Sequence, residues 1–237
     1  MEEHAPFGWL SFVPYPLPIV TSAFVAALLM VFASTQRGKL ARIEQALEPE
    51  DGFTGRNVAE AVVEGISGLA EGVIGPHARA YVPLLATFFT FILACNLIGL
   101  IPGFPPPTAD FNITFGLGVV AFFAYHIAGL RAQGITYLKH FLGPVMLLAP
   151  LMLVIEIFSD CFRPISLGIR LFANMFADHQ VVEIFTELTK AVVPVVFYVL
   201  GAFVGVVQAF VFTMLTAIYI SLAVHHDEHE EHAEGAH

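Results

Sequence analysis

The chain has 237 residues, 57% of them hydrophobic and only 13% charged, with a mean hydropathy of +0.77. Such a composition excludes a water-soluble globular domain and points to an all-α polytopic membrane protein. The formal net charge of −10 sits largely in the two ends and the first loop, so no nucleic-acid surface is expected.

Residues 1–14 are polar and Pro-rich, and the acidic start Met1-Glu2-Glu3-His4 lacks the basic beginning of a cleaved leader. An apolar run over residues 15–34 is long enough for a first crossing. The segment 35–81 contains Arg37, Lys39, Arg42, Arg56 and Arg79, half of the ten Lys and Arg. By the positive-inside rule it faces the cytoplasm, which puts the N-terminus outside. Within it Val58, Val62, Ile66, Leu69 and Val73 step by three or four, predicting a short amphipathic helix on the membrane surface, with Gly65, Gly68 and Gly72 working against it. Residues 82–130 hold two crossings. The first, 82–101, carries Asn96 near its far end and stops at a run from Pro102 to Pro107 that cannot continue a helix. The loop to Asn112 contains Asp110 and no basic residue, so it lies outside; 113–130 crosses back, and Arg131, Lys139 and His140 mark the return. Cys95 and Cys161, isolated in apolar segments, read as core fillers rather than a disulfide or a metal pair.

After Gly143-Pro144 the region 143–224 is expected to form a tilted hairpin of two over-long helices. Residues 151–190 would span roughly 60 Å as one helix, about twice the ~30 Å hydrocarbon thickness. At about 100° per residue Glu156, Ser159, Asp160, Arg163, Ser166, Arg170, Asn174 and Asp178 fall within an arc of roughly 120°. Pro164 bends this helix without ending it, because the periodicity continues on both sides. The second helix, 191–224, has Gln208 as its one amide, with Gly201, Gly205 and Ala209 on the same face at a spacing that lets helices approach closely. Gln208 is therefore expected to face the polar stripe. The count is about five membrane-embedded helices plus the amphipathic one, followed by a cytoplasmic tail, 225–237. The tail's His225, His226, His229, His232 and His237 could bind a metal weakly, but a charged tail is the simpler reading; no metal or cofactor is expected.

Arg170 is the sharpest signal. Its guanidinium cannot shed its charge to escape desolvation, and the stripe's carboxylates Glu156, Asp160 and Asp178 are two or more helical turns away. Arg163 is close to Asp160 and fits a structural pair. Glu156, Asp160, Asn174 and Asp178 suit a hydrated proton path, since carboxylates exchange protons and an amide can orient water; the competing reading is a polar seam between helices. Beyond Asp178 the polar residues change face, to His179, Gln180, Glu183 and Glu187. His179 beside acids would make a relay near neutral pH, or a solvated helix end. No phosphate-binding loop, no Ser/His/Asp or Cys/His constellation and no HExxH sequence is present, so no catalytic residue is assigned and the chain is not read as an enzyme.

The run Ser166-Leu167-Gly168-Ile169-Arg170-Leu171-Phe172-Ala173-Asn174-Met175 resembles the signature of the a subunit of F-type ATP synthases. Asn96 to Pro102, Pro107-Thr108-Ala109-Asp110, Glu156, Gln208-Ala209-Phe210 and Tyr219 add to the resemblance, which covers about residues 80–224. It implies a stator that offers two aqueous half-channels to the carboxylates of a c-subunit ring, separated by Arg170, with Gln208 nearby and Glu156, Asn174 and His179 lining the channels. The implied partners are that ring, b-type peripheral stalk subunits, membrane lipid and, indirectly, the soluble ATPase. The implied place is a bacterial inner membrane or its organellar counterpart. One departure stands out: relatives commonly carry His or an acid seven residues before the glutamine, where this chain has Gly201. The outer relay would then rest on the first helix of the hairpin, with His179. Two rivals remain on the residues alone. A secondary cation/proton antiporter also uses buried carboxylates but usually shows inverted repeats and short broken spans; a respiratory-complex anchor would need haem-ligating His pairs, and only His126 lies in an apolar span.

Overall fold

The computed structural model describes residues 16–40, 55–101, 103–134, 137, 149–189 and 192–224. Six α-helices run through them: α1 (Leu17–Leu40), α2 (Gly55–Ile74), α3 (Val82–Ile98), α4 (Phe111–Gln133), α5 (Ala149–Thr189) and α6 (Val192–Val224). Single 3-10 turns at Ala78–Ala80 and Pro107–Ala109 lead into α3 and α4. Leu17–Thr35, Phe111–Gln133 and Pro194–Val224 are long and apolar enough to cross a membrane, and Val82–Ile98 is a shorter apolar helix. The N-terminal segment 1–14, Arg42, Pro102, Lys139, His140, the Gly143-Pro144 pair, Lys190 and the His-rich tail lie outside the described residues.

Local signals place the helix ends. Pro83 occupies the first turn of α3, where a missing N–H costs nothing. That helix gives out at Gly99, just before the proline run. Asp110 caps α4, its carboxylate accepting from the Asn112 amide at 2.9 Å. At the other end Gly134 takes a positive φ of 62° and returns its amide to the Leu130 carbonyl at 2.9 Å. Pro164 stands inside α5, which continues through it.

Packing follows the periodicities. The apolar stripe of α2 is real: Ile66, Ala70 and Ile74 are buried and Val62, Leu69 and Val73 pack beside them, whereas Val58 stays 52% exposed. This face meets α3 and α6, joining Leu85, Ala217, Ile220 and Ala223 in one core, so α2 is docked on the helices as well as amphipathic. A second core lies between α3, α4, α5 and α6, built from Phe88, Ile92, Ala121, Leu167, Leu171, Met175 and Phe212. Here α4 and α5 come nearly backbone to backbone. A Cβ on Gly118 would stand 2.5 Å from the Pro164 carbonyl oxygen, so only glycine fits. α5 also packs on α6, and the paired positions run oppositely along the two chains: Phe185 stacks on Phe197 at 4.5 Å, and Asn174 bonds Gln208.

Candidate functional site

The polar stripe of α5 lies along the edge of its packed face. Asp160, Pro164, Leu167, Gly168, Leu171, Met175 and Val182 are buried at helical spacing, while Ser166, Arg170 and Asn174 are exposed. The stripe is thereby divided into three groups with different surroundings.

The first group surrounds Asp160, which is 5% exposed. Its carboxylate accepts from Tyr125 Oη at 2.8 Å and Arg163 at 2.9 Å, and lies 2.8 Å from His126 Nε2. Pro164 has no N–H to give the Asp160 carbonyl, and the Tyr125 hydroxyl stands 3.5 Å from that oxygen. The Arg163 guanidinium lies 5.6 Å above the ring of Tyr219 on α6. Arg163 is thus in the ion pair its spacing suggested. Tyr125 and His126 were not paired with Asp160 from the sequence, although a histidine in an apolar span was a visible signal. Glu156, one turn before Asp160, is half-buried and makes no hydrogen bond or ion pair among the described residues.

The second group is centred on Arg170. Among the described residues its guanidinium has no hydrogen-bond or ion-pair partner, and it is exposed on the open side of α5 with Ser166 one turn before it. Asn174, one turn after it, donates from Nδ2 to Gln208 Oε1 at 2.8 Å. Gln208 is 4% exposed and so faces α5, as its small neighbours suggested. Three residues earlier on α6, the Gly205 carbonyl accepts from Asn96 of α3 at 2.9 Å, and Asn96 in turn accepts from the Thr108 hydroxyl at 2.7 Å. Both polar ends of Asn96 are satisfied, which lets it sit buried.

The third group lies toward the end of α5. Asp178 and His179 are half-buried and, with Asn96, Tyr198 and Gly201, line a small cavity of about 20 Å³, room for about one water. Gly201 is open to Asp178: a Cβ there would strike the Asp178 carboxylate. The Asp178 carboxylate of α5 therefore occupies the space that a side chain at 201 would enter. Tyr198 is a contributor that the sequence reading missed, since nothing in an apolar run distinguishes a tyrosine that turns toward a cavity. Glu183 is exposed one turn beyond His179 and does not join the cavity. Carboxylates, an imidazole and amides are strung along α5, with a cation that has no partner among the described residues between the two end groups. Such an arrangement can pass protons at its ends and hold a fixed positive charge in the middle.

Residues 19–221 match the family described as ATP synthase A chain. Subunit a of the ATP synthase of Bdellovibrio bacteriovorus is 44% identical over 226 residues, covering 93% of this chain and 99% of that one. The corresponding subunit of Sorangium cellulosum is 41% identical over 213 residues, 90% of this chain and 84% of its own. That of Trichlorobacter lovleyi is 46% identical over 165 residues, 70% and 72% of the two chains. A match over nearly the whole of its helical part, with relatives of comparable length, means that this membrane protein belongs to the ATP synthase A chain family.

Proposed function

We propose that the chain is the proton-conducting, non-catalytic stator subunit of a rotary ATP synthase, and that Arg170 separates two aqueous half-channels serving the carboxylates of a c-subunit ring. The observation that carries this reading is the position of Arg170: a permanently charged group left open beside a packed interface, with an acid-bearing cluster on either side along α5. A guanidinium within about 4–6 Å of a carboxylate favours its ionised form. A rotor carboxylate would release its proton on arriving at Arg170, and the same charge would bar protons from crossing directly between channels. Glu156 and Asp160 belong to the inner channel in this reading, and Asp178 and His179, with Glu183 beyond them, to the outer one. Asn174 and Gln208 brace the helix pair beside the cation, and Ser166 adds a hydroxyl to the open side.

The membrane arrangement is part of the proposal. α5 has 41 residues and α6 has 33, so at 1.5 Å per residue they would measure roughly 60 and 50 Å and must tilt strongly in a ~30 Å core. With α1, α3 and α4 this makes five membrane-embedded helices around a single domain, α2 lying on the cytoplasmic surface. The excess of Lys and Arg in the first loop supports an N-terminus outside and a C-terminus in the cytoplasm, and the bacterial relatives support a bacterial inner membrane. The c ring would cover the Arg170 side, b-type stalk subunits would hold the stator, and the soluble ATPase would be reached only through them. An antiporter is not favoured, because the family match spans the region that such a transporter would need for its repeats.

Affinity purification followed by mass spectrometry tests the reading. A small two-helix proteolipid and soluble ATPase subunits should accompany the chain, and vesicles holding the purified complex should pump protons on adding ATP. A chain that purifies alone and exchanges protons for another cation would overturn it.

A further inference from the structure

Four polar side chains line the small cavity beside Asp178, and three of them have no contact within the chain to account for their polar atoms. Asp178, His179 and Tyr198 are each half-buried, and none makes a hydrogen bond or ion pair among the described residues. The fourth, Asn96, has its oxygen taken by the Thr108 hydroxyl and one N–H by the Gly205 carbonyl. A carboxamide carries two N–H groups, so one is left to donate. The other side chains of the wall are apolar.

Volume and partners agree on what fits there. A water needs ~10–15 Å³ and about 2–4 polar partners, and this cavity measures about 20 Å³. A water that accepts from the spare Asn96 N–H has both hydrogens left to give. One suits the Asp178 carboxyl group, which can accept whether or not it is ionised, and the Tyr198 hydroxyl can either donate or accept. The site is therefore independent of the charge on any of its members.

The two long helices contribute unequally. Gly201 gives the cavity no side chain, and a Cβ there would strike the Asp178 carboxylate. The contribution of α6 falls to Tyr198, about one turn before it, whose hydroxyl is the one polar side-chain group that helix brings to the wall. Without that hydroxyl a water beside Asp178 would be tied only to α3 and α5.

We propose that this cavity binds one ordered water and that Tyr198 is a positioning residue, setting the water against the Asp178 carboxyl group from the α6 side. The effect on proton flow rests on the proposed function of the chain; the water site does not.

A cryo-EM map of the assembled complex that resolves waters tests the site without any variant. It should show density within hydrogen-bond reach of both the Asp178 carboxyl group and the Tyr198 hydroxyl. A hydroxyl bonded to another protein group, a hydroxyl turned out of the cavity, or no ordered density there would overturn the proposal. Tyr198→Phe then removes the hydroxyl and keeps the ring. Complex yield and the number of protons pumped per ATP should be unchanged, and the density should weaken. Passive proton conductance in vesicles stripped of the soluble ATPase should fall about two- to tenfold, the range that one hydrogen bond is worth. Conductance equal to the wild type would overturn the positioning role. So would a fall that comes with lost yield or fewer protons per ATP, since the residue would then be structural. Ordered water at this site in a complex that conducts no protons would fault the reading of the chain's function and leave the water site standing.

Discussion

Two arginines seven residues apart on one helix should respond in opposite ways to truncation. Arg163 donates to Asp160 at 2.9 Å and lies over Tyr219, so Arg163→Ala removes a charge-assisted bond and a cation–π contact from a carboxylate that is 7% exposed. A hydrogen bond to a charged group contributes about 1.5–3 kcal/mol and the ring contact about 0.5–1. The Arg163 side chain is 29% exposed, and Tyr125 and His126 still serve Asp160, so a loss on the order of 2 kcal/mol is expected. Arg170→Ala removes an exposed group with no partner among the described residues, and substitutions of that kind usually stay within about 0.5 kcal/mol. The fold should hold and the coupling should fail. The assay is the yield of the chain in purified complexes, the temperature at which they come apart, and ATP synthesis in vesicles. Arg163→Ala should lower yield and dissociation temperature while surviving complexes still make ATP. Arg170→Ala should assemble normally, make no ATP and pass protons once the soluble ATPase is stripped. Normal ATP synthesis by Arg170→Ala would refute the reasoning, and so would its loss from the membrane.

Arg170→Lys should lose ATP-driven pumping nearly as completely as Ala but leak less, because a compact, hydrated ammonium lacks the planar fork of the guanidinium; pumping and leak are read in the same vesicles. Gln208→Leu should weaken coupled transport without abolishing it, since one hydrogen bond inside a membrane contributes about 0.6 kcal/mol on average; a complete loss of pumping would show the amide to be obligatory. Glu156→Gln and His179→Ala should each slow proton flow and leave assembly intact, as both lie half-buried rather than in a packed core; disappearance of either variant from the membrane would favour a structural seam. Gly201→Ala should cost about 1–3 kcal/mol by pressing a methyl group on Asp178, and adding Asp178→Gly should restore complex yield; an unimpaired single variant would mean that the two positions do not share space.

Much of the fold is legible in the sequence because its punctuation is strong. Apolar runs of spanning length bounded by prolines, Asp110 and basic residues place α3, α4 and α6 to within a few residues, whereas α1 runs on to Leu40, six residues past the expected end at 34, and the three-and-four stepping of Val62, Ile66, Leu69 and Val73 finds α2. The polar stripe of α5 is legible for the same reason, since a helix fixes angles along itself. The helix wheel cannot say what stands opposite each angle. Asp160 and Arg170 fall in the same polar arc of the wheel, about 80° apart, yet one is enclosed by Tyr125 and His126 and the other is open. Those partners sit thirty-five and thirty-four residues away in the chain, on a helix that meets α5 at the close contact between Gly118 and Pro164. The absence of an acid at 201 is visible in the sequence; that Asp178 occupies its space depends on how α5 and α6 are set against each other.

The division of the stripe carries an argument about what the chain lacks. Around three of its charges α5 has neighbours among the described residues: Tyr125, Arg163 and the His126 ring for Asp160, an aromatic face for Arg163, a polar cavity beside Asp178. Arg170 receives none of these from the described residues. At the centre of a membrane helix an arginine costs about 2.5–3.5 kcal/mol even on insertion scales, and its guanidinium cannot neutralise itself. Leu171 and Met175 pack inward on the neighbouring turn, while Ile169 and Phe176 flank the cation outward, so around the cation the open side is apolar apart from Arg170, Asn174 and the hydroxyls of Ser159 and Ser166. An apolar face with one cation calls for an apolar surface carrying one carboxylate at matching depth. The proposed ring of identical helices, each bringing such a carboxylate in turn, would meet that requirement repeatedly, which is what a rotor needs of a stator and what a single fixed ion pair would prevent.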